Sequence, residues 1–254
     1  MSGQSVVGSA TSLLTRTTGN IVNANYTIIV AMRFNAQPTL GDEVGVAGII
    51  GRLSQPTQGA WEILQEAADD PTFPDQIISF TKNPAETANQ NQVLGTTTNL
   101  KNKWIHYAAV YTGNLAAGSM QEYAALEGFN PAAPSYLINV ANTIAPAVAI
   151  GTTNVFNSGE SSNFYTGQHG HFIFTPQALS AAQVIAQWQQ RKPTATVVGG
   201  GSYTYLPFTN QATAGTDQGT LASNFTQTGT LTDSGRIPLE WSKPSSIFYS
   251  MPSG

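Results

Sequence analysis

Residues 104–113 read Trp104-Ile105-His106-Tyr107-Ala108-Ala109-Val110-Tyr111-Thr112-Gly113. Aromatic and β-branched side chains, no proline and a closing glycine are strand chemistry. A period of two puts Trp104, His106 and Ala108 on one side of that strand. Trp104 is expected to fill the space between two stacked sheets, because a buried indole contributes a large apolar area. His106 on the same side reads as a hydrogen-bonded core residue in preference to a catalyst.

Similar runs recur outward in both directions: Tyr26 to Phe34, Val44 to Leu53, Trp61 to Leu64, Gln76 to Phe80, Glu122 to Leu126, Ala147 to Gly151 and Gly167 to Phe174. Gly, Pro, Asn or Asp bounds each of them, as turns require. Helical pattern is scarce. Gln65 to Asp70 is too short to assign. Ser180 to Arg191 places Val184, Ile185 and Trp188 on one face, with Ser180 as N-cap, Gln183 at the capping-box position and Pro193 as the stop. Many short strands and one short helix predict an all-β antiparallel sandwich. Thr, Ser, Asn and Gln are expected outward, alternating with apolar residues inward.

Composition narrows the function. The chain of 254 residues has 10 Lys+Arg, 14 Asp+Glu, a formal charge of −4 and no cysteine. Only 9% of residues are charged, yet 41% are hydrophobic, so this is not a disordered composition. Ten dispersed cations cannot neutralise a run of phosphates, which argues against a nucleic-acid partner. Neither a polybasic membrane patch nor an apolar run of transmembrane length is present, and Met1 to Thr18 lacks the pattern of a secretory signal. Sheets so poor in charge have weak protection against edge pairing, which predicts a covered surface or a regular assembly, with homo-oligomers expected.

Chemistry-bearing constellations are sparse. Glu62 and Glu66, on one strand, would stand about 13 Å apart at ~3.3 Å per residue, too far for a glycosidase pair. No G-x-S-x-G elbow occurs, and Gly199-Gly200-Gly201 is not followed by the lysine of a phosphate loop. The expectation is no enzyme. Asp42-Glu43 and Asp69-Asp70, with Asp75 near the second pair, read as loop carboxylates. A Ca²⁺ site at Asp69, Asp70 and Asp75 is the weaker reading, and no cofactor is expected. His169 and His171 flank Gly170 and are expected on one strand face, a spacing sometimes used for Zn²⁺, but no third ligand is visible. Asn25-Tyr26-Thr27 and Asn224-Phe225-Thr226 have the form of glycosylation sequons and read as coincidence in a Thr- and Asn-rich chain.

Four segments together resemble a known family. Tyr26 to Phe34 is similar to the opening strand of lectin-like domains. Trp104 to Gly113 is similar to their W-x-H-x-A-x-V-Y-x-G strand. Ala147 to Gly151 resembles the strand that follows. Gly167 to Ser180 keeps the spacing of a G-x-I-D-E-V-x-I-Y-x-x-A-L-S segment. The family is the laminin-G-like, concanavalin A-like jelly roll, over roughly residues 20–192. Trp104, His106, Gly113, Gly151, Gly167, Leu179 and Ser180 are the positions that carry the likeness. Gly170 and His171 stand where the family has Asp and Glu, which removes acids that some relatives offer to Ca²⁺.

The implied organisation is an arm at 1–19, a lectin-like sandwich at 20–196, a Gly-rich joint at 197–202 and an extension at 203–254. Tyr205-Leu206-Pro207-Phe208 with Asp217-Gln218-Gly219 resembles the family's first strand, displaced to the end. It is expected to close on its own sandwich or on a neighbouring subunit, with Phe208, Phe225, Trp241 and Phe248 as candidate subunit contacts. Such domains, poor in charge and with Thr/Gly-rich tails, resemble structural proteins of tailed bacteriophages. The resemblance implies a non-enzymatic virion surface protein, a capsid decoration or tail-associated subunit, whose partners are other virion proteins or copies of itself. The alternative is a free carbohydrate-binding module, with Trp61, Tyr123 or Tyr165 stacking a sugar ring. A glycan hydrolase is the third reading.

Overall fold

The structure, a computed structural model, describes residues 5–8, 13–16, 25–34, 47–52, 60–65, 75–82, 89–113, 118–142, 153–155, 167–190, 193–194, 200–222 and 224–234. Fifteen strands occur among them. They are β1 (Ser5–Gly8), β2 (Leu13–Arg16), β3 (Asn25–Phe34), β4 (Ala47–Arg52), β5 (Ala60–Gln65), β6 (Gln76–Lys82), β7 (Asn89–Thr96), β8 (Trp104–Gly113), β9 (Gly118–Leu126), β10 (Tyr136–Asn142), β11 (Thr153–Val155), β12 (Gly167–Thr175), β13 (Thr204–Leu206), β14 (Thr226–Thr228) and β15 (Leu231–Ser234). One-turn helix α1 (Thr97–Leu100) and helix α2 (Ala181–Trp188) complete the set, with a 3₁₀ turn at Gln211–Thr213. Only α2 was expected from the sequence.

The strands form two antiparallel sheets, as the strand pattern implied. The larger runs β10-β9-β8-β3-β12-β1-β15, with β13 also on β12; the smaller runs β14-β2-β11-β4-β5-β6-β7. Strands β1 and β2, from within residues 1–19, and β13, β14 and β15, from beyond residue 202, all pair within these sheets.

Between the sheets lies an apolar layer. Ile28, Val30, Met32 and Phe34 of β3 and Ile105, Tyr107, Ala109 and Tyr111 of β8 meet Leu14, Ile63, Ile77 and Leu94 of the smaller sheet. Tyr26 and Tyr111 stack there at 5.0 Å between ring centroids. The other face of the larger sheet carries a second layer, in which Ile29, Ala108, Val110, Ala125 and Ile173 pack under Leu179, Val184, Trp188 and Tyr205. Strands β3, β8 and β12 are therefore buried on both faces. This corrects the expectation of polar outward positions, and it explains why residues 104–113 read as a continuous apolar run.

It also corrects the expectation for Trp104. Alternation places Trp104 with His106 and Ala108, on the face under α2 and not between the sheets. Helix α2 forms as its caps require. The Ser180 amide donates to Gln183 Oε1 at 2.9 Å, and the Gln183 amide donates to Ser180 Oγ at 3.3 Å. The helix ends at Trp188, short of Arg191, and its buried face is Val184, Gln187 and Trp188. Gln187 takes the place expected for Ile185, and its Nε2 donates to the Gln190 carbonyl at 3.0 Å to close the last turn.

Candidate functional site: a neutral aromatic shelf on the outer face

Strand β9 alternates. Met120, Glu122 and Ala124 point into the interior, while Gln121, Tyr123 and Ala125 point outward; the pairings Tyr123↔Ala108 and Gln121↔Val110 fix this, because Ala108 and Val110 lie in the outer layer. On β10, Tyr136 stands opposite Ala125 and Asn139 opposite Tyr123. A register shift after Tyr136 turns Ile138 inward while keeping Tyr136 outside.

The two tyrosines are half-buried. Their rings lie 5.9 Å apart, tilted by 44°. Trp188 backs Tyr136 from below: its ring is 6.4 Å from Tyr136, 5.5 Å from half-buried Phe129 and 5.8 Å from His106, on which it stacks. Gln121 Nε2 donates to Asn139 Oδ1 at 2.9 Å beside this group. Burial raises the phenol pKa of Tyr123 and of Tyr136, and Tyr136 raises that of Tyr123 further. Glu122, the only charged residue of β9 and β10, faces the interior, so these strands add no charge to the shelf. A rigid aromatic surface with side-chain amides at its rim suits an uncharged ligand with one apolar face and hydroxyl edges.

Of the candidate stacking residues, Tyr123 is on this shelf. Trp61 lies on β5, but its side chain is outside the described residues, as is Tyr165 altogether. Sequence reading missed Tyr136 and Asn139, because no strand was assigned to 136–142, and Gln121, which precedes the run read from Glu122 to Leu126. The alternation of Tyr136, Ile138 and Val140 is the signal that could have marked it. His106 is fully buried between Trp188 and Phe129, as part of the shelf's support.

The histidine pair is a correction. His169 stands opposite Met32 and His171 opposite Ala31, with Gly170 bulged between them. Met32 faces the interior and Ala31 the outer side, so the two imidazoles lie on opposite faces of the sheet. His169 packs 5.8 Å from Phe208. The pair cannot hold one metal ion together. No group of three or more metal-ligating side chains occurs among the described residues. Asp75 Oδ2 accepts from Thr98 Oγ1 at 2.9 Å, and Asp42, Glu43, Asp69 and Asp70 lie outside the described residues. The Glu62 side chain and Glu66 also lie outside them.

Phe208 and Phe225 are buried in this chain's own interior layer, which corrects their reading as subunit contacts; Trp241 and Phe248 lie outside the described residues. Phe225 and Phe174 flank Arg16, whose guanidinium carbon is 5.0 and 5.6 Å from their ring centroids. Arg16 Nη1 donates to Thr204 Oγ1 at 2.9 Å. Burial lowers the pKa of Arg16, while the nearby Asp217 charge opposes that shift. Asp217 Oδ1 accepts from the Tyr205 and Gly219 amides at 2.8 and 2.7 Å. Gly113 ends β8, with its amide on Asn25 Oδ1 at 3.2 Å; Gly167 opens β12 opposite Phe34; Leu179 and Ser180 lead into α2; Gly151 lies outside the described residues.

No helix among the described residues is long and apolar enough to cross a membrane. The chain matches no family model and no curated protein. It is similar in fold to a crystal structure of a Bacteroides ovatus protein whose name proposes carbohydrate binding, with a TM-score of 0.55 at 13% identity over 91% of this chain. The match covers 59% of that protein, so the chain spans less than two thirds of its length. At this identity the likeness is one of fold: an antiparallel β-sandwich.

Proposed function

We propose that the chain is a non-enzymatic module of the concanavalin A-like, laminin-G-like type that binds a neutral carbohydrate on the Tyr123–Tyr136 shelf. The observation that carries this reading is the pair of half-buried tyrosines, backed by Trp188 and flanked by Gln121 and Asn139. A pyranose presents C–H bonds on its face and hydroxyls at its edge. The C–H face suits the electron-rich ring surface, and the hydroxyls suit the amides. The name of the Bacteroides ovatus protein supports the same ligand class. The test is a glycan array followed by calorimetry. A neutral oligosaccharide is expected to bind, with affinity lost on Tyr123→Ala or Tyr136→Ala. An array without hits at millimolar ligand overturns the reading.

A second reading is a structural subunit that assembles with its own copies or other chains, as on the surface of a bacteriophage virion. It is supported by the edge strand β7, Asn-Gln-Asn-Gln-Val-Leu-Gly-Thr, which has neither charge nor proline to discourage edge pairing, and by Val93 exposed on it. Light scattering tests it. A strict monomer at high concentration argues against it.

A further inference from the structure

The sandwich closes at a corner far from the shelf's strands in sheet order. Strand β14 is the end strand of the smaller sheet and β15 the end strand of the larger, and only Gly229 and Thr230 separate them. Gly229 has φ +74°, a conformation that glycine adopts without penalty, and it turns the chain from one sheet to the other. The 3₁₀ turn Gln211–Thr213 is tied to this corner. The Gln211 amide donates to Asp233 Oδ1 on β15 at 2.6 Å, and the Ala212 amide donates to Asn210 Oδ1 at 2.7 Å. Turn and corner border an open surface recess of about 400 Å³, lined by Gln211, Ala212, Gln227, Gly229, Thr230 and Leu231, of which all but Leu231 are exposed.

None of these six lining residues carries a charge. Gln227 Nε2 donates to the Gly229 carbonyl at 3.3 Å, which leaves its amide oxygen as an acceptor. The Gln211 side-chain amide makes no hydrogen bond among the described residues. Leu231 lies beneath the recess, buried in the interior layer. An amide offers a donor and an acceptor together, which is what adjacent sugar hydroxyls need. No lining residue offers an ion an opposite charge, and the Asp233 carboxylate at the corner accepts from the Gln211 backbone amide. The volume falls within the roughly 300–1,000 Å³ of small-ligand sites.

From this recess we infer a second carbohydrate subsite, for a single neutral sugar ring or a chain end gripped by its hydroxyl edge, while the shelf takes the face of a ring. The inference rests on the carbohydrate reading above. The test follows amide resonances of the labelled chain while glucose, galactose, mannose and N-acetylglucosamine are added separately. One of them is expected to move the side-chain amides of Gln211 and Gln227 and the backbone amides of Gly229 and Thr230. Gln211→Ala and Gln227→Ala should each weaken that sugar by at least about tenfold, the loss of hydrogen bonds from one amide. If monosaccharides perturb only the surroundings of Tyr123 and Tyr136, or if both glutamine variants bind as the parent does, the recess is overturned while carbohydrate binding stands. If neither these sugars nor oligosaccharides perturb any resonance, the carbohydrate reading falls and the recess with it.

Discussion

Ser79 and Glu122 meet across the interior of the sandwich. The Ser79 hydroxyl, on β6 of the smaller sheet, donates to Glu122 Oε1 on β9 of the larger. The same oxygen accepts from Tyr107 OH at 2.5 Å, the two hydroxyls lie 3.1 Å apart, and all three residues are fully buried. A polar centre inside an apolar layer is costly to leave partly paired. Ser79→Ala and Tyr107→Phe should each destabilise the fold by about 1–3 kcal/mol in urea titrations. The double variant should lose more than the sum, since the carboxylate then keeps neither donor. Single losses under about 0.5 kcal/mol, the range of neutral surface changes, would show that the bridge between sheets is not formed.

The bulge at Gly170 decides which way the rest of β12 faces. It places Phe172 and Phe174 in the interior and Ile173 outside. Without Gly170, His169, His171 and Phe172 would alternate as a regular strand against Met32, Ala31 and Val30, so the pairing and the inward placement of both phenylalanines survive. Deleting Gly170 should therefore leave thermal unfolding cooperative. Loss of the cooperative transition would show that the bulge itself is needed to seat β12.

Leu179 anchors the segment entering α2. It is 4% exposed in the outer layer, and its amide donates to Thr27 Oγ1 at 3.0 Å, which ties the segment to β3. Leu179→Ala should cost about 2–5 kcal/mol through the cavity it leaves. Because α2 carries Trp188, the same change should also loosen the shelf, read as sharper exchange broadening of the Tyr136 resonances than of those of Tyr26. A loss below about 1 kcal/mol would place Leu179 outside the core.

How much of this could be read in advance depended on whether the signal was local. The strand at 104–113 and the cap at Ser180–Gln183 were legible, since periodicity and capping are written in adjacent residues. The side of the sheet was not. Trp104 looked like filler between sheets because nothing local says that the opposite face is also covered, by α2 and Tyr205. His169 and His171 looked like neighbours on one face because the unpaired Gly170 is visible only against β3. Phe208 and Phe225 looked like subunit contacts because their partners, such as His169 and Phe172, lie far away in sequence. Glu122 shared its parity with Met120 and Ala124, a signal of inward burial that its charge argued against.

Gly219 shows how tightly residues 203–221 are seated. A Cβ at this position would run into the Tyr203 carbonyl oxygen and crowd the Tyr205 amide, both backbone atoms. The close approach lets Asp217 Oδ1 gather the Tyr205 and Gly219 amides together. Gly219→Ala should destabilise by about 1–3 kcal/mol, as overpacking does, and raise protease cutting near residues 203–221. Gly128→Ala is the control, since nothing lies within 4 Å of its Cβ position. Its φ of +80° limits its cost to the backbone preference of about 1 kcal/mol. Equal losses for the two would remove the case for a clasp at Gly219.

The shelf carries a pH signature at the alkaline end. Burial raises the phenol pKa of Tyr111, Tyr123 and Tyr136 above the ordinary 10.0, and Tyr136 adds to the shift of Tyr123. The fold therefore favours the neutral phenol. Below the ordinary value both states are protonated and the tyrosine contribution is constant. As pH rises through about 10, the unfolded chain ionises first, and the stability from these groups is lost up to the raised folded values. Melting temperature should fall across that window, and phenolate absorbance of the folded chain should appear later than in a denatured control. Tyr136→Phe should bring the Tyr123 titration back toward 10.0, because the neighbouring charge is gone. A bound glycan should delay phenolate formation further, by shielding both rings from water. Shelf tyrosines that ionise with the denatured control would show that their rings are not buried on the shelf.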